Sequence, residues 1–179
     1  MGIRDQVRPY MWPKESTTKP KLEDILEPFC AKTDKCGRFP KSPSLAKELM
    51  TLACRDAVAK GVDPLKVPLA IDIDCSMGFK TYGINECRTL THTRGRSGGP
   101  WISTRGRRMT TTELLRLQGF DDGDIPWAQA GISSSQLGAM LGDAVSLNVI
   151  GPVIAEALYS AGVVNEKLVF TRGSASSSS

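Results

Sequence analysis

The segment from residue 89 to residue 108 concentrates side chains that suit a polyanion. Its sequence, TLTHTRGRSGGPWISTRGRR, holds five arginines, four glycines and one histidine, and it has no acidic residue. Arginines that neutralise phosphates gain affinity by releasing counterions, and glycines let backbone amides approach a phosphate closely. An arginine that reaches a guanine edge adds about 1 to 3 kcal/mol of discrimination. The composition indicates a positive, flexible loop for nucleic acid, although such charge runs are also common on plain solvated surface.

The element that must hold this segment is a helix directly after it. Thr110 and Glu113 fit a capping box, and Gly119 stands where a helix of about two turns ends. The same capping pattern recurs at Ser133 and Gln136, before another apolar run. The buried face of the first of these helices is expected to carry Leu114, Leu115 and Leu117.

Upstream, the sequence predicts a short helix, a long helix and a strand. A helical KLEDILEPF segment would end at Pro28 and bury Leu22, Ile25 and Leu26 on one face. Apolar residues at helical spacing then follow Ser44 and stop at Gly61. In the segment KVPLAIDIDCSM, residues 66–77, isoleucine and aspartate alternate over 71–74, which is typical of a strand with one buried face.

The last helix is predicted to end at Gly162, with Pro152 kinking it or lying close to its start. The tail at residues 165–179 is rich in serine and is expected to be disordered. The apolar face of the helix is expected to carry Leu147, Ile150, Ile154, Ala157, Leu158 and Ala161.

Composition restricts the class of protein. The 179 residues are 40% hydrophobic and 23% charged, with a net charge of +4, which fits a globular chain with one ordinary core or two small ones. The five cysteines are odd in number and lack C-x-x-C spacing, which indicates reduced thiols. One histidine and scattered cysteines argue against a metal site. The absence of an apolar run near 18 residues argues against a membrane span or a secretion signal.

Three segments in this order resemble the C-terminal part of the DNA cytosine-5 methyltransferases. The first is Thr89-Leu90 with the glycine-rich stretch that follows it, which is similar to the family's recognition loop. The second, RGRRMTTTELLRLQGF, resembles the ninth motif of the family. The third, SSSQLGAMLGDAVSLNVI, resembles the tenth, with Asp143 where the family usually has asparagine.

The resemblance implies a fold and a division of the chain. We expect an α/β protein that contains part of an S-adenosylmethionine-dependent, Rossmann-like methyltransferase domain and a small mixed α+β target-recognition domain. Residues 1–28 would end the catalytic domain and form a link, and residues 29–107 would form the target-recognition domain. Residues 108–164 would carry the ninth and tenth motifs back to the catalytic domain.

The chain lacks other motifs of the family. It has no F-x-G-x-G cofactor loop, no Glu-Asn-Val, and no cysteine after a proline. The resemblance therefore implies a C-terminal portion of the enzyme with no catalytic residue of its own, which is inactive alone. Its partners would be DNA and the missing N-terminal catalytic half, and no membrane is expected. The location would be nuclear, or cytoplasmic at the nucleoid in a prokaryote.

The resemblance also implies site residues. Thr89 and Thr91 would contact phosphate or sugar, and Arg94 and Arg96 would contact a groove. Positive charge for phosphate would also come from Arg105 and Arg108. The cofactor S-adenosylmethionine would be contacted by Gly142, Asp143, Ala144 and Val145.

Two alternatives remain open at the level of sequence. The first is a DNA-binding module that derives from such an enzyme and retains recognition without chemistry. The second is part of an RNA cytosine methyltransferase. A His92 with a catalytic role would need an oriented partner, and the sequence alone identifies none.

Overall fold

A small antiparallel sheet with helices around it forms the centre of the protein. The computed structural model describes residues 7–14, 19–36, 39, 44–76 and 82–168. In these residues the sheet has the strand order β2-β1-β3-β4, and each neighbouring pair is antiparallel. The strands are β1 (Leu69–Ile71), β2 (Tyr82–Ile84), β3 (Trp101–Ile102) and β4 (Arg107–Arg108). The helices are α1 (Leu45–Ala59), α2 (His92–Arg96), α3 (Thr111–Leu117), α4 (Ser134–Asp143) and α5 (Leu147–Ser160).

Both faces of the sheet are covered. Leu69 and Ile71 of β1 pack with α1 in one apolar cluster, whereas Ala70 between them belongs to a second cluster with α3 and α4. The predicted strand is confirmed at Leu69–Ile71, but all three of its residues are buried, so the expectation of a single buried face is wrong. The strand ends at Ile71, and the alternation continues beyond it, since Ile73 is buried and Asp74 is exposed.

The long helix and both capping boxes are confirmed. The Ser44 side chain accepts a hydrogen bond from the Lys47 amide at the start of α1. At α3, the Thr110 amide donates to Glu113 at 2.8 Å, and the Glu113 amide donates back to the Thr110 hydroxyl at 3.2 Å. Ser133 and the Gln136 side chain make the same reciprocal pair at α4. These local hydrogen bonds place the helix starts where the sequence predicts them.

The KLEDILEPF segment is less helical than the sequence predicts. It contains only a 3-10 turn over Leu22–Asp24, so the predicted longer helix is wrong. The burial prediction is nevertheless confirmed for Leu22, Ile25 and Leu26, which enter the second apolar cluster. That cluster also contains Leu90 and Leu114, and it therefore joins residues from three of the predicted segments of the chain.

Helix α5 buries a different face from the one predicted. It begins at Leu147, five residues before Pro152, and its buried residues are Gly151, Ala155, Glu156 and Ser160. The N-terminal segment lies across this face: the Arg8 amide donates to the Ser160 carbonyl at 2.7 Å, and the Met11 amide donates to Glu156 at 3.2 Å. The predicted apolar face is wrong, because the side of α5 that is buried is the side that contacts the N-terminal segment.

The predictions about a membrane span and about the tail remain to be compared with the structure. Among the described residues no single helix is long and apolar enough to cross a membrane; α4 and α5 pass such a test only as a pair, and they are bent by 49°. Most of the tail that the sequence predicts to be disordered, residues 169–179, lies outside the described residues.

Candidate functional site

The arginine- and glycine-rich segment is a folded part of the protein. Its first half forms α2 after Thr91, and its second half forms the β3–β4 hairpin. Gly98 and Gly99 connect the two halves with φ angles of +88° and +70°, a backbone conformation that favours glycine. The expectation of a flexible loop is wrong, because the glycines serve close packing and turns.

Helix α2 lies unusually close to α4. A Cβ atom built on Gly95 would overlap the Gly138 carbonyl, and one built on Gly138 would overlap the Gly95 carbonyl. A Cβ atom on Gly142 would likewise overlap the Thr91 carbonyl. The Ser135 hydroxyl also donates to the Arg96 carbonyl at 3.1 Å. These contacts join the recognition-loop sequence directly to the tenth-motif sequence.

A cavity of about 490 Å³ opens beside α2. It is lined by Thr89, Thr91 and Arg94, three of the residues that the sequence predicts to contact DNA. Its wall includes the apolar residues Ala70, Leu90 and Pro100. The volume falls within the range of roughly 300 to 1,000 Å³ that is typical of ligand sites.

Arg94 is held at this cavity by one carboxylate. Its Nε donates to Asp72 Oδ2 at 2.8 Å, with the two side chains 29% and 31% exposed. The other oxygen of Asp72 accepts the Asp74 amide at 3.1 Å. The carboxylate is therefore fixed on both sides, and it fixes the guanidinium in turn.

The other predicted DNA contacts have different surroundings. Arg96 is exposed at the end of α2, whereas Arg108 donates to the Gly99 carbonyl and to Asp74, each at 2.7 Å. Arg105 is only 6% exposed, and its guanidinium donates to Glu23, to the Glu27 carbonyl and to the Thr104 hydroxyl. The placement of Arg105 therefore suits an internal structural role better than the predicted DNA contact.

Arg107 lies between two buried carboxylates, and the sequence did not reveal this pairing. It donates to Asp34 at 2.7 Å and to both oxygens of Glu113 at 2.9 and 3.0 Å. The hydrogen bonds that Arg107 donates to the Glu113 carboxylate raise the pKa of its guanidinium. Burial acts to raise the pKa of Asp34, but hydrogen bonds from the Cys30 amide and Arg107 outweigh it, and the pKa of Asp34 is lowered.

Glu113 therefore has two functions, as the cap of α3 and as a partner of Arg107. It also accepts the Glu27 amide at 2.9 Å, which attaches the segment after Leu22–Asp24 to α3. The sequence signal for this network is Glu113 alone, because a capping residue is visible locally. Asp34 lies 73 positions from Arg107 and gives no such signal.

The predicted cofactor residues lie at the end of α4. Gly142 packs against the Thr91 carbonyl, and Asp143 Oδ2 lies 2.7 Å from His92 Nδ1. His92 thus has a partner that the sequence did not identify. Ala144 and Val145 are exposed just beyond the helix and form an open surface. The four residues do not line the cavity beside α2.

The thiol that lines this cavity is not set up as a nucleophile. Cys87 lines the cavity, and burial raises the pKa of its thiol to about 12. Since the thiolate is the reactive form, this cysteine is almost entirely protonated near neutral pH. In the described part of the chain, no group of three or more His, Cys, Asp or Glu side chains is arranged to hold a metal ion.

Comparison with known proteins gives one match. A family model described as C-5 cytosine-specific DNA methylase matches residues 53–159, which is more than half of the chain. The matched range includes every residue that lines the cavity, and it also includes α3 and α4. Neither a curated protein nor a solved structure matches the chain.

Proposed function

The chain belongs to the C-5 cytosine-specific DNA methylase family, and from this premise we propose that it is the target-recognition part of a DNA cytosine-5 methyltransferase. The carrying observation is that Thr89, Thr91 and Arg94 line one cavity within the matched range. Threonine hydroxyls and arginine are common donors to phosphates and base edges. Arg96 and Arg108, on the same segment, would add positive charge for the DNA backbone.

The nucleophile would come from residues that this chain does not carry. In the proposed reaction the target cytosine leaves the helix, a cysteine thiolate adds to its ring, and the adjacent carbon accepts the methyl group. Loss of the proton from that carbon to a base then expels the thiolate and restores the ring. None of the five cysteines here follows a proline. The raised pKa of Cys87 further supports a nucleophile from elsewhere, because a protonated thiol attacks poorly.

S-adenosylmethionine would supply the methyl group. The residues at the end of α4 fit one wall of a cofactor cleft: Ala144 and Val145 offer exposed backbone and apolar surface. Asp143 is held by His92, which directs its carboxylate toward α2. Gly142 contributes close helix packing, so we assign Ala144 and Val145 the cofactor contact.

The exposed apolar residues of α5 support a further proposal about architecture. Val149 and Ile154 are 62% and 48% exposed. We propose that this face packs on a Rossmann-like sheet carried by the N-terminal catalytic half. Residues 1–28 and 108–164 would then belong to the catalytic domain, and residues 29–107 to the target-recognition domain. The proposed location is the nucleus, or the nucleoid in a prokaryote.

Binding to nucleic acid over a range of salt concentrations tests the DNA contact. We expect the purified chain to bind a fluorescent duplex in an anisotropy titration, with an affinity that falls as salt rises. Arg96→Ala should reduce the slope of log K against log salt by about one. Arg55→Ala is the matched control, because it removes the same charge from an exposed site on α1.

Three outcomes distinguish the candidate functions. Equal binding of the duplex and of a neutral polymer would overturn the DNA contact. Preferential binding of RNA of the same sequence would replace DNA as the substrate. Transfer of labelled methyl groups to DNA by the chain alone would contradict the proposed external nucleophile.

A further inference from the structure

The arginines of residues 94–116 differ in which nitrogen atoms their contacts use. Arg105 and Arg107 each donate from Nε and from both terminal amino groups. Arg108 uses both terminal amino groups, on the Gly99 carbonyl and Asp74. Arg116 also donates from both, to Asp122 and to the Ile25 carbonyl. The protein itself occupies the forked ends of these four guanidinium groups.

Arg94 has the opposite arrangement. Its Nε is held by Asp72, and among the described residues neither of its terminal amino groups has a hydrogen bond. Both groups belong to a side chain that lines the 490 Å³ cavity. A guanidinium anchored through Nε presents its terminal pair as a rigid fork, because the group is planar. Such a fork fits two acceptors side by side.

Arg88 also lines the cavity, but the carboxylate of Asp72 lies directly beside the fork of Arg94, and at that point it favours a neutral ligand group over a phosphate. The Asp72 carboxylate lies 2.8 Å from Arg94 Nε, so the pair carries no net charge. A phosphate at the fork would be repelled by this carboxylate, and the apolar side chains of Ala70, Leu90 and Pro100 would strip its water. A base edge is neutral and partly apolar. The guanine O6 and N7 atoms form the pair of adjacent acceptors that arginine reads most often.

We infer that Arg94 reads a guanine of the DNA target through O6 and N7, with Asp72 as its positioning residue. This inference rests on the proposed DNA contact and specifies what one side of that site recognises. Arg96 contacts phosphate, because it is exposed and no carboxylate of the described residues pairs with it. Arg105 and Arg107 serve the fold.

Selection from a randomised duplex pool tests the assignment. The full chain, Arg94→Ala, Arg94→Lys and Arg96→Ala are each used to enrich bound duplexes, which are then sequenced. The unaltered chain should enrich a guanine at one position, and Arg96→Ala should retain that preference with weaker binding. Arg94→Ala should reduce this preference by about 5- to 150-fold, whereas Arg94→Lys should retain part of it, since lysine can still donate to guanine but lacks the rigid fork.

Base analogues test which atoms are read. Replacing the selected guanine by 7-deazaguanine removes N7, and it should weaken binding by the unaltered chain but not by Arg94→Ala. Inosine retains O6 and N7, so its binding should be unchanged. Asp72→Asn should lose base preference while its binding to unrelated duplexes stays equal or rises, because one negative charge is removed. A variant with a damaged fold would instead lose both its base preference and its binding to unrelated duplexes.

The outcomes separate this inference from the function on which it rests. If the chain binds duplexes with the expected salt dependence but enriches no guanine, or if Arg94→Ala enriches the same motif, the guanine assignment is overturned and the DNA contact stands. If the chain does not bind duplex DNA, both are overturned.

Discussion

Gly95 of α2 and Gly138 of α4 pack backbone against backbone, so that a methyl group on either would overlap the carbonyl oxygen of the other. The contact joins the segment that carries Arg94 to the helix that ends at Asp143. It is supported at its far end by the His92–Asp143 pair. The proposed DNA-contact residues and the proposed cofactor surface therefore lie on two helices in direct contact.

The first prediction concerns this helix crossing. Alanine normally stabilises a helix interior by about 1 kcal/mol relative to glycine. We expect Gly138→Ala instead to lower the free energy of unfolding by about 2 kcal/mol or more, because the overlap falls on backbone atoms that have no rotamer to change. Urea unfolding followed by circular dichroism measures the change. Met140→Ala, exposed on the same helix, should stay within about 0.5 kcal/mol. A Gly138→Ala variant as stable as the unaltered chain would refute the crossing.

The second prediction concerns the buried network. Arg107→Met leaves the carboxylates of Asp34 and Glu113 buried without their common partner. Breaking such a pair costs about 3 to 5 kcal/mol, so we expect a large loss of stability in urea. Lys66→Met removes a cation from an exposed ion pair with Asp63 and should cost less than about 1 kcal/mol. If Arg107→Met lost no more stability than Lys66→Met, the buried network would contribute little to the stability of the fold.

A third prediction follows from the lowered pKa of Asp34. Because the carboxyl has a lower pKa in the folded state than in the unfolded chain, its contribution to stability is present above the unfolded-state pKa of about 4. It is lost as pH falls through the lower folded-state pKa. We expect Asp34→Asn to be less stable than the unaltered chain at pH 7, and the difference to shrink below about pH 4. Asp121→Asn, at an exposed position, is the control. A difference that stays constant with pH would rule out this role of Asp34.

The fourth prediction ranks the thiols by reactivity. Hydrogen bonds from the backbone of Lys32 and from Thr33 lower the pKa of exposed Cys30, whereas burial raises the pKa of Cys54 and Cys87. Alkylation by iodoacetamide at pH 7.5, followed by peptide mass spectrometry, should label Cys30 before these two, with Cys87 slowest. Rapid labelling of Cys87 in the folded protein would contradict the protonated thiol at the cavity and reopen its assignment as unreactive.

Sequence predicted the parts of the fold that depend on neighbouring residues. The capping boxes at Thr110 and Ser133 join atoms three positions apart, so their residue types identify them. The partners of the arginines could not be predicted in this way: Glu23 lies 82 positions from Arg105. Gly95 was misread for a related reason, since composition does not distinguish a glycine that loosens a loop from one that permits close packing.

The last prediction tests the register of α5, where hydropathy and structure disagree. Hydropathy places Ile154 on the buried face, whereas in the structure Ile154 is 48% exposed and Ala155 is 1% exposed under the N-terminal segment. We expect Ile154→Lys to change the free energy of unfolding by less than about 0.5 kcal/mol, because the side chain already contacts solvent. Ala155→Leu should cost about 1 to 3 kcal/mol, since it adds volume between α5 and the segment that carries Arg8 and Met11. If Ile154→Lys lowered stability more than Ala155→Leu in thermal or urea unfolding, the buried face of α5 would be the one that hydropathy predicts. The exposed surface that we propose packs on the catalytic half would then not exist.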